Sequence, residues 1–341
     1  MNKSIKVAVL GSTGYVGLDL IKILNQHPCV KINFLGCENY PNTEIKHIDN
    51  RIINQNLPKL KLNKEFNSSN SDVVFLALPH GISHKYVKKF YKKIRIIDLS
   101  ADFRLDNLST YITNYNNDHT CPSLLNKFIY GLPEFNKEKI KNNENISIPG
   151  CYPTSVLLAL IPLIKENLLL ENNIIIDSKS GYSGAGKKFN LKQIINDNNN
   201  NFYNYNTNQH RHICEIRQEL NKCSVKKFNF SFNPHILPVF RGMMTTIYCD
   251  LESNINEAEI HNSLKNFANK NPFIHLYNHN QQADLFNVQN TNNCILKLFK
   301  SHSENKIIIV SIIDNLIKGA AGQAVQCFNI SFNFEETLSL I

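Results

Sequence analysis

Hydrophobic positions along this chain fall into short unbroken blocks divided by glycine-bearing or polar turns. "IKVAVL" (5–10) is such a block, and "GSTGYVG" (11–17) and the amphipathic "LDLIKILNQHP" (18–28) follow it. A block of that length reads as a buried strand, so the sequence predicts strand, glycine-rich turn and helix in succession. Further strands are predicted at 30–36, 73–78 and 94–99, with a helix over 83–93 joining the last two. Strands alternating with helices predict an α/β fold with a parallel, doubly wound sheet. Ligands of such sheets bind beyond the carboxyl ends of the strands. One rim is therefore expected, made of "GSTG" (11–14), Cys37-Glu38, "PHG" (79–81) and "SADFR" (100–104).

The pattern changes at "IPGCYPTS" (148–155), where a strand over 146–148 gives way to a helix expected to begin near Pro153. A strand is predicted at 174–179, then the flexible turn "SGYSGAGKK" (180–188) and an exposed Asn-rich loop reaching 209. "HRHICEIRQEL" (210–220) reads as a helix, because Ile213, Ile216 and Leu220 make one apolar stripe. His210 and His212 flank that stripe on opposite sides, and both face one site only if His210 precedes the first turn. Alternating strands are expected over 228–251, broken by Pro234 and Pro238. A strand, a polar turn at Asp314-Asn315 and a small-residue helix follow over 306–329, the helix packing back on the first domain. These elements predict a dinucleotide-binding domain over 1–150 and about 314–341, and an α+β catalytic and oligomerisation domain over about 151–313.

Composition narrows the function classes. The chain has 341 residues, 42% hydrophobic and 19% charged, as expected of a soluble globular protein with room for two cores. No apolar run reaches the roughly 18 residues of a membrane span. The start leaves no room for a signal peptide, so a cytoplasmic location is expected. The net charge is +9, but the lysines are scattered, which speaks against nucleic acid. The excess of Asn, Ile and Lys reads as compositional drift. The nine cysteines form no CxxC pair, so unbridged thiols are expected and no metal site.

Candidate chemistry sits in two places. In the GxxGxxG turn, Gly11 permits a tight bend, Gly14 lets a pyrophosphate approach the backbone, and Gly17 lets the helix pack closely. The helix start adds N–H groups for the anion. Glu38 falls about 20 residues past the glycines, where an acid that binds the ribose 2′-hydroxyl points to NAD. The second place is Cys151, at the start of a helix. A helix N-terminus contributes about 0.3–1 kcal/mol to a nearby anion, usually under one pKa unit. That is too little to ionise a thiol at neutral pH, so a partner is needed.

"GSTGYVG", "SADFR", "YGLPE" (130–134), "PGCYPTS", "SGYSGAGKK", "HRHICEIRQEL", "PHILPVFRGM" and "DNLIKGAAGQAVQ" occur in this order. Together they closely resemble the N-acetyl-gamma-glutamyl-phosphate reductases, over nearly the whole chain. The wider kin are aspartate-semialdehyde dehydrogenases and phosphorylating glyceraldehyde-phosphate dehydrogenases. The resemblance implies a Rossmann-type domain and NADPH-dependent reduction of N-acetylglutamyl 5-phosphate to the 5-semialdehyde with release of phosphate, in arginine biosynthesis. It implies NADP(H) against the hint from Glu38, and a dimer or tetramer. It implies Cys151 as nucleophile and His210, by its place in "HRHICE", as acid–base partner. Implied for the cofactor are Gly11, Ser12, Thr13, Gly14, Tyr15, Gly17, Ser100, Ser183, Gly184 and Asn315. Implied for the substrate are Arg104, His212, Glu215, His235 and Arg241, with Glu215 alternatively orienting His210. For Arg104 the structural alternative is an ion pair with Asp102 or Asp106. The Asn-rich stretch departs from the family pattern and puts the loop before His210 in doubt. Rivals are an aspartate-semialdehyde dehydrogenase, a Cys-His hydrolase or acyltransferase, and a non-catalytic nucleotide sensor. The hydrolase leaves "GSTGYVG" and "KGAAGQAVQ" without a purpose, and the sensor leaves Cys151 without one.

Overall fold

The computed structural model describes residues 4–53, 56–196, 199–303 and 305–341. Its chain divides into two units, 1–149 with 320–341, and 150–319. The second crossing thus falls later than 314, and the Asp314-Asn315 turn belongs to the second unit.

In the first unit the elements run β1 (Ile5–Leu10), α1 (Tyr15–Asn25), β2 (Val30–Cys37), β3 (Lys61–Leu62), β4 (Val73–Leu76), α2 (Ser83–Phe90), β5 (Arg95–Asp98), α3 (Leu108–Tyr115), β6 (Ile129–Tyr130), α4 (Pro133–Lys141) and β7 (Asn145–Ser147). α2 stops short of residue 93: Tyr91 leaves the helix at ψ 134° and Lys92 then takes a left-handed φ of 60°. The seven strands make one sheet in the order β3-β2-β1-β4-β5-β7-β6, and every pair is parallel. Both faces are covered, which is why the strands read as unbroken apolar runs. Val7, Val9, Phe75 and Ile97 pack on one face with Leu20 and Leu24 of α1. Ala8, Leu10, Val74, Leu76 and Ile96 pack on the other with Val87 and Phe90 of α2.

The second unit begins with α5 (Cys151–Lys165), followed by β8 (Ile174–Gly181), β9 (Ile195–Asn196), β10 (Asn199–Asn200), β11 (Tyr203–Asn204), α6 (His212–Lys222), β12 (Phe230–Leu237), β13 (Met243–Asp250), α7 (Glu257–Lys270), β14 (Ile274–Tyr277), β15 (Cys294–Lys300) and β16 (Lys306–Ile313). A mixed seven-stranded sheet runs β11-β12-β8-β13-β16-β15-β14. Every residue of α5 from Tyr152 to Ile164 is buried, and the helix packs on β13, β15 and β16 and against α6 and α7. Its buried Ser155 side chain bonds Thr245 (2.9 Å) and Ser311 (3.2 Å) on the sheet beneath. After a π-helical turn at Ile317–Ala321, α8 (Gly322–Ser331) returns to the first unit and packs on α1 and α4.

Three expectations change here. α5 starts at Cys151 rather than near Pro153, because Gly150, extended at φ −68° and ψ 156°, already serves as its N-cap. Proline is tolerated in that first turn, whose N–H groups lack an acceptor within the helix. Pro234 does not break β12, which runs through it. Its carbonyl accepts the Tyr205 N–H, so the missing donor lies toward the two-residue edge strand β11 and leaves the long pairing with β8 intact.

The Asn-rich stretch is not a plain loop. Residues 197 and 198 of it lie outside the described residues, but Tyr203 and Asn204 pair with β12 and Asn208 bonds Phe232 through both backbone and side chain. Asn206 and Asn208 hold left-handed φ angles of 49° and 54°. Among the described residues, ten of the twelve non-glycine positions with positive φ are asparagine. Asparagine tolerates that region better than other side chains, so part of its excess has a conformational use.

Candidate active site

The first unit supplies a cradle at the carboxyl end of β1. Strand order reverses there, with β2 on one side and β4 on the other. Gly11 has a φ of 83°, and a Cβ on it would stand 2.2 Å from the Ala77 carbonyl oxygen. A Cβ on Gly17 would stand 2.3 Å from the Gly11 oxygen, so α1 packs directly on the turn. A Cβ on Gly14 would meet only that oxygen, at 3.7 Å, which leaves its outer side open. Gly14 also caps α1, with no side chain bonded across the helix start and no acid in the first turn. An open glycine before a helix N-terminus fits a pyrophosphate. Gly11→Ala is expected to lower stability by about 1–3 kcal/mol through the forced φ alone, read as a lower urea midpoint at unchanged slope.

Thr13, Gly14 and Tyr15 are partly exposed at this cradle, but Ser12 is not. Its hydroxyl donates to the Val9 carbonyl (2.9 Å) and its N–H to the Gly36 carbonyl, so it holds the turn closed from inside. Ser100 is also buried, its hydroxyl donating to Asp98 (2.8 Å) and accepting from the Asp102 N–H (3.1 Å). Both hydroxyls are thus bonded within their own turns. Burial, and then the Asp102 charge, push Asp98 up to about 7. Asp102 pins the rim, accepting the N–H groups of Gly81 and His84 and the Tyr111 hydroxyl. Arg104 is buried, with Nε on the Ile148 carbonyl (2.7 Å) and Nη2 on the Leu99 carbonyl (2.9 Å). It braces the ends of β5 and β7.

In the second unit, Cys151 is half-buried on the first turn of α5. Two close approaches frame it. A Cβ on Gly150 would lie 2.5 Å from His212 Nε2, so that imidazole edge rests on the backbone immediately before Cys151. A Cβ on Gly319 would lie 2.7 Å from the Cys151 Cβ. The Gly150 N–H donates to Glu215 Oε1 (2.9 Å), and Glu215 is buried. His212 and Glu215 stand three residues apart on α6, on one face. Several other thiols are driven away from ionisation by burial, Cys121 to about 11 and Cys214 to about 12. None of the nine cysteines, all among the described residues, is in a disulfide.

His210 precedes α6, the condition under which both histidines can share a site, and the two rings lie 4.8 Å apart. Its Nδ1 accepts the His212 N–H (3.1 Å) and its Nε2 faces the Tyr205 hydroxyl (3.4 Å). Tyr205 in turn meets the Tyr152 hydroxyl (3.2 Å), which donates to the His235 carbonyl (3.2 Å). With Nδ1 accepting, the proton belongs on Nε2, and each donor in this chain finds an acceptor. Burial, and then the Arg211 charge, push the His210 pKa down to about 3. His210 is therefore neutral at physiological pH, and His212 is the imidazole against the Cys151 turn. Tyr205 was not legible as a site residue, since nothing distinguishes it among the tyrosines and asparagines of 201–206.

The remaining assigned residues divide. His235 leaves the constellation: on β12, Phe232, Pro234 and Ile236 are buried while His235 points to the opposite face, 3.1 Å from Asp177 and stacked on Phe202. Phe232 and His210 contact each other on the other side of the sheet. Asn315 and Ser183 come together, but on each other: Asn315 Nδ2 donates to the Ser183 hydroxyl (2.9 Å) and its Oδ1 accepts the Gly242 N–H (2.8 Å). They staple the turns at Gly184 and Gly242. Arg241 is fixed by Asn290 (2.7 Å) and buried Asp314 (3.2 Å).

A model of the semialdehyde dehydrogenase NAD binding domain matches residues 6–143, and one of the semialdehyde dehydrogenase dimerisation domain matches 151–315. N-acetyl-gamma-glutamyl-phosphate reductase of Clostridium botulinum (strain Eklund 17B / Type B) is 40% identical over 338 residues, 98% of each chain. The protein of that name from Caldicellulosiruptor bescii is 42% identical over 346 residues, covering 99% of this chain and 98% of the relative. Among solved structures, aspartate semialdehyde dehydrogenase II from Vibrio cholerae superposes with a TM-score of 0.75 at 18% identity, over 97% of this chain and 99% of that one. Aspartate semialdehyde dehydrogenase with NADP from Candida albicans gives 0.67 at 17%, over 96% and 98%. Those structures share the fold, and the sequence relatives decide the family: this chain belongs to the N-acetyl-gamma-glutamyl-phosphate reductases.

Proposed function

We propose that this chain reversibly reduces N-acetyl-L-glutamyl 5-phosphate to N-acetyl-L-glutamate 5-semialdehyde and phosphate, in amino-acid biosynthesis, through a thioester on Cys151. The observation that supports it most is Cys151 on the first turn of α5, with the His212 ring and Glu215 both against Gly150. An acyl phosphate must lose phosphate and gain hydride, and a thiolate divides that task. Cys151 Sγ attacks the acyl carbon and phosphate leaves, giving the thioester. When bound, the nicotinamide supplies the hydride that takes this thioester to a thiohemiacetal. His212 accepts the thiol proton in the first step and protonates the thiohemiacetal oxygen in the second; collapse then returns that proton to His212 and frees the aldehyde and the thiolate. Glu215, on the same helix face, offers the negative charge that an imidazolium needs. This revises the expectation that His210 is the acid–base group: neutral and bonded at both nitrogens, His210 positions His212 through the backbone N–H at 3.1 Å.

Gly11, Gly14, Gly17, Thr13 and Tyr15 form the cofactor cradle in this reading. Arg241, held in one orientation by Asp314 and Asn290, is the candidate for the substrate's anionic groups, and Arg104 shapes the rim. The resemblance implies NADP(H) as the form used, a reading that has to meet Glu38. The sheet face opposite α5 carries half-exposed Ile175 and Tyr248, and we assign it to a homo-oligomeric contact, readable as a dimer or tetramer by light scattering. A thiolate nucleophile belongs in a reducing compartment, so the cytoplasm is the proposed location.

Run in reverse, purified protein with the N-acetylated semialdehyde, oxidised cofactor and phosphate is expected to raise nicotinamide absorbance. A signal that ignores phosphate would sink the reductase reading. Turnover of aspartate semialdehyde instead would move the chain to the neighbouring activity.

A further inference from the structure

We propose that Glu38 reads the adenosine ribose of the cofactor and selects the unphosphorylated form, NAD(H), over NADP(H). The inference rests on the dehydrogenase reading above and departs from the cofactor form that the family resemblance implies.

The end of β2 is stitched to the glycine turn. Leu10 pairs with Gly36, and the N–H groups of Gly11 and Ser12 both donate to the Gly36 carbonyl (3.1 and 2.8 Å). Glu38 follows two residues later. Asn63, itself 1% exposed, bridges the two: its Oδ1 accepts the Gly11 N–H (3.2 Å) and its Nδ2 donates to Glu38 Oε1 (2.6 Å). Both polar ends of that amide are defined by their partners, so its orientation is set and the Glu38 carboxylate is held at the edge of the cradle. In a doubly wound sheet the adenosine ribose falls at the end of the second strand, and a carboxylate there accepts hydrogen bonds from the ribose hydroxyls. A 2′-phosphate in that place meets a like charge, which is the usual means of rejecting a competitor.

A phosphate reader needs a cation nearby, and two of the five in this segment are engaged by acids. Arg51, the one arginine between β2 and β3, is held by Asp49 (2.6 Å) and Asp19 (3.2 Å). Lys46 pairs with Glu44 (2.6 Å). Of the exposed Lys59, Lys61 and Lys64, Lys61 is paired in register with Gly36 at the end of β2 and is therefore part of the test.

The experiment is binding without turnover. Dissociation constants of NADH and NADPH are measured by nicotinamide fluorescence on the wild type, Glu38→Gln and Lys61→Ala, each checked for an unchanged melting temperature. NADH is expected to bind at least about tenfold tighter than NADPH to the wild type. Glu38→Gln is expected to shrink that ratio several-fold, and Lys61→Ala to leave it within about twofold. Tighter NADPH binding by the wild type, or a ratio insensitive to Glu38→Gln, overturns the proposal while leaving the dehydrogenase reading intact. Failure to bind either form overturns both.

Discussion

Cys151→Ser is expected to abolish turnover of the N-acetylated semialdehyde while leaving cofactor affinity unchanged. A serine hydroxyl is far harder to ionise than a thiol, and the single imidazole against Gly150 is not arranged to deprotonate it. The loss is expected to exceed about 10³ in kcat, since the covalent route disappears and binding alone remains. Serine fits the space, because Gly319 leaves room for the Cβ at position 151 and nothing larger is introduced. The reverse-direction absorbance assay reads the loss, and nicotinamide fluorescence reads the retained affinity. A serine variant with substantial activity would remove Cys151 as the nucleophile.

The second large effect separates the two histidines. His212→Asn is expected to lower kcat/KM by about 10²–10⁴ and to flatten the limb of the pH–rate profile set by the acid–base group. His210→Asn is expected to cost less and to leave that limb in place, because it removes only the acceptor that orients His212. A severe, profile-flattening loss in His210→Asn with a mild one in His212→Asn would reverse the assignment. His210 also makes an equilibrium prediction. Its folded pKa of about 3 lies below the ordinary 6.5. The stability it confers is therefore complete above pH 6.5 and declines as pH falls from there toward 3. The slope is about 1.36 kcal/mol per pH unit, so about 2 kcal/mol is lost by pH 5. Urea titrations at pH 7.5 and 5 are expected to show that loss in the wild type and to show less of it in His210→Asn.

Much of the first unit was legible because its physics is local. A strand buried on both faces must be apolar throughout, so β1, β2, β4 and β5 announce themselves, and Gly11, Gly14 and Gly17 are required by the turn between β1 and α1. Cys151 and "HRHICE" stood out in the sequence as candidates, but their packing did not. Only the packing shows that Gly150 lies under His212 and that His210 is closed in by Tyr152, Tyr205 and Phe232. Four of the polar candidates share one feature. Ser12, Ser100, Ser183 and Asn315 sit in turns that need their hydrogen bonds filled from within, and a turn's own demand looks in sequence like a ligand's. The face that His235 takes follows from strand parity, which a proline inside the strand had concealed.

The return of α8 to the first unit has a consequence for the order in which the protein is made. Phe328 and Ile330 belong to the same core as Val7, Leu20 and Phe75. A nascent chain that has emerged as far as residue 149 therefore has every strand of its parallel sheet and an open apolar face where α8 belongs. At roughly 5–20 residues per second, the segment that closes it arrives on the order of 10–40 s later. The second unit, contiguous in sequence, can complete its own core within that interval. The second unit is then finished before the first, and the exposed face of the first sheet is where a chaperone would be needed during synthesis.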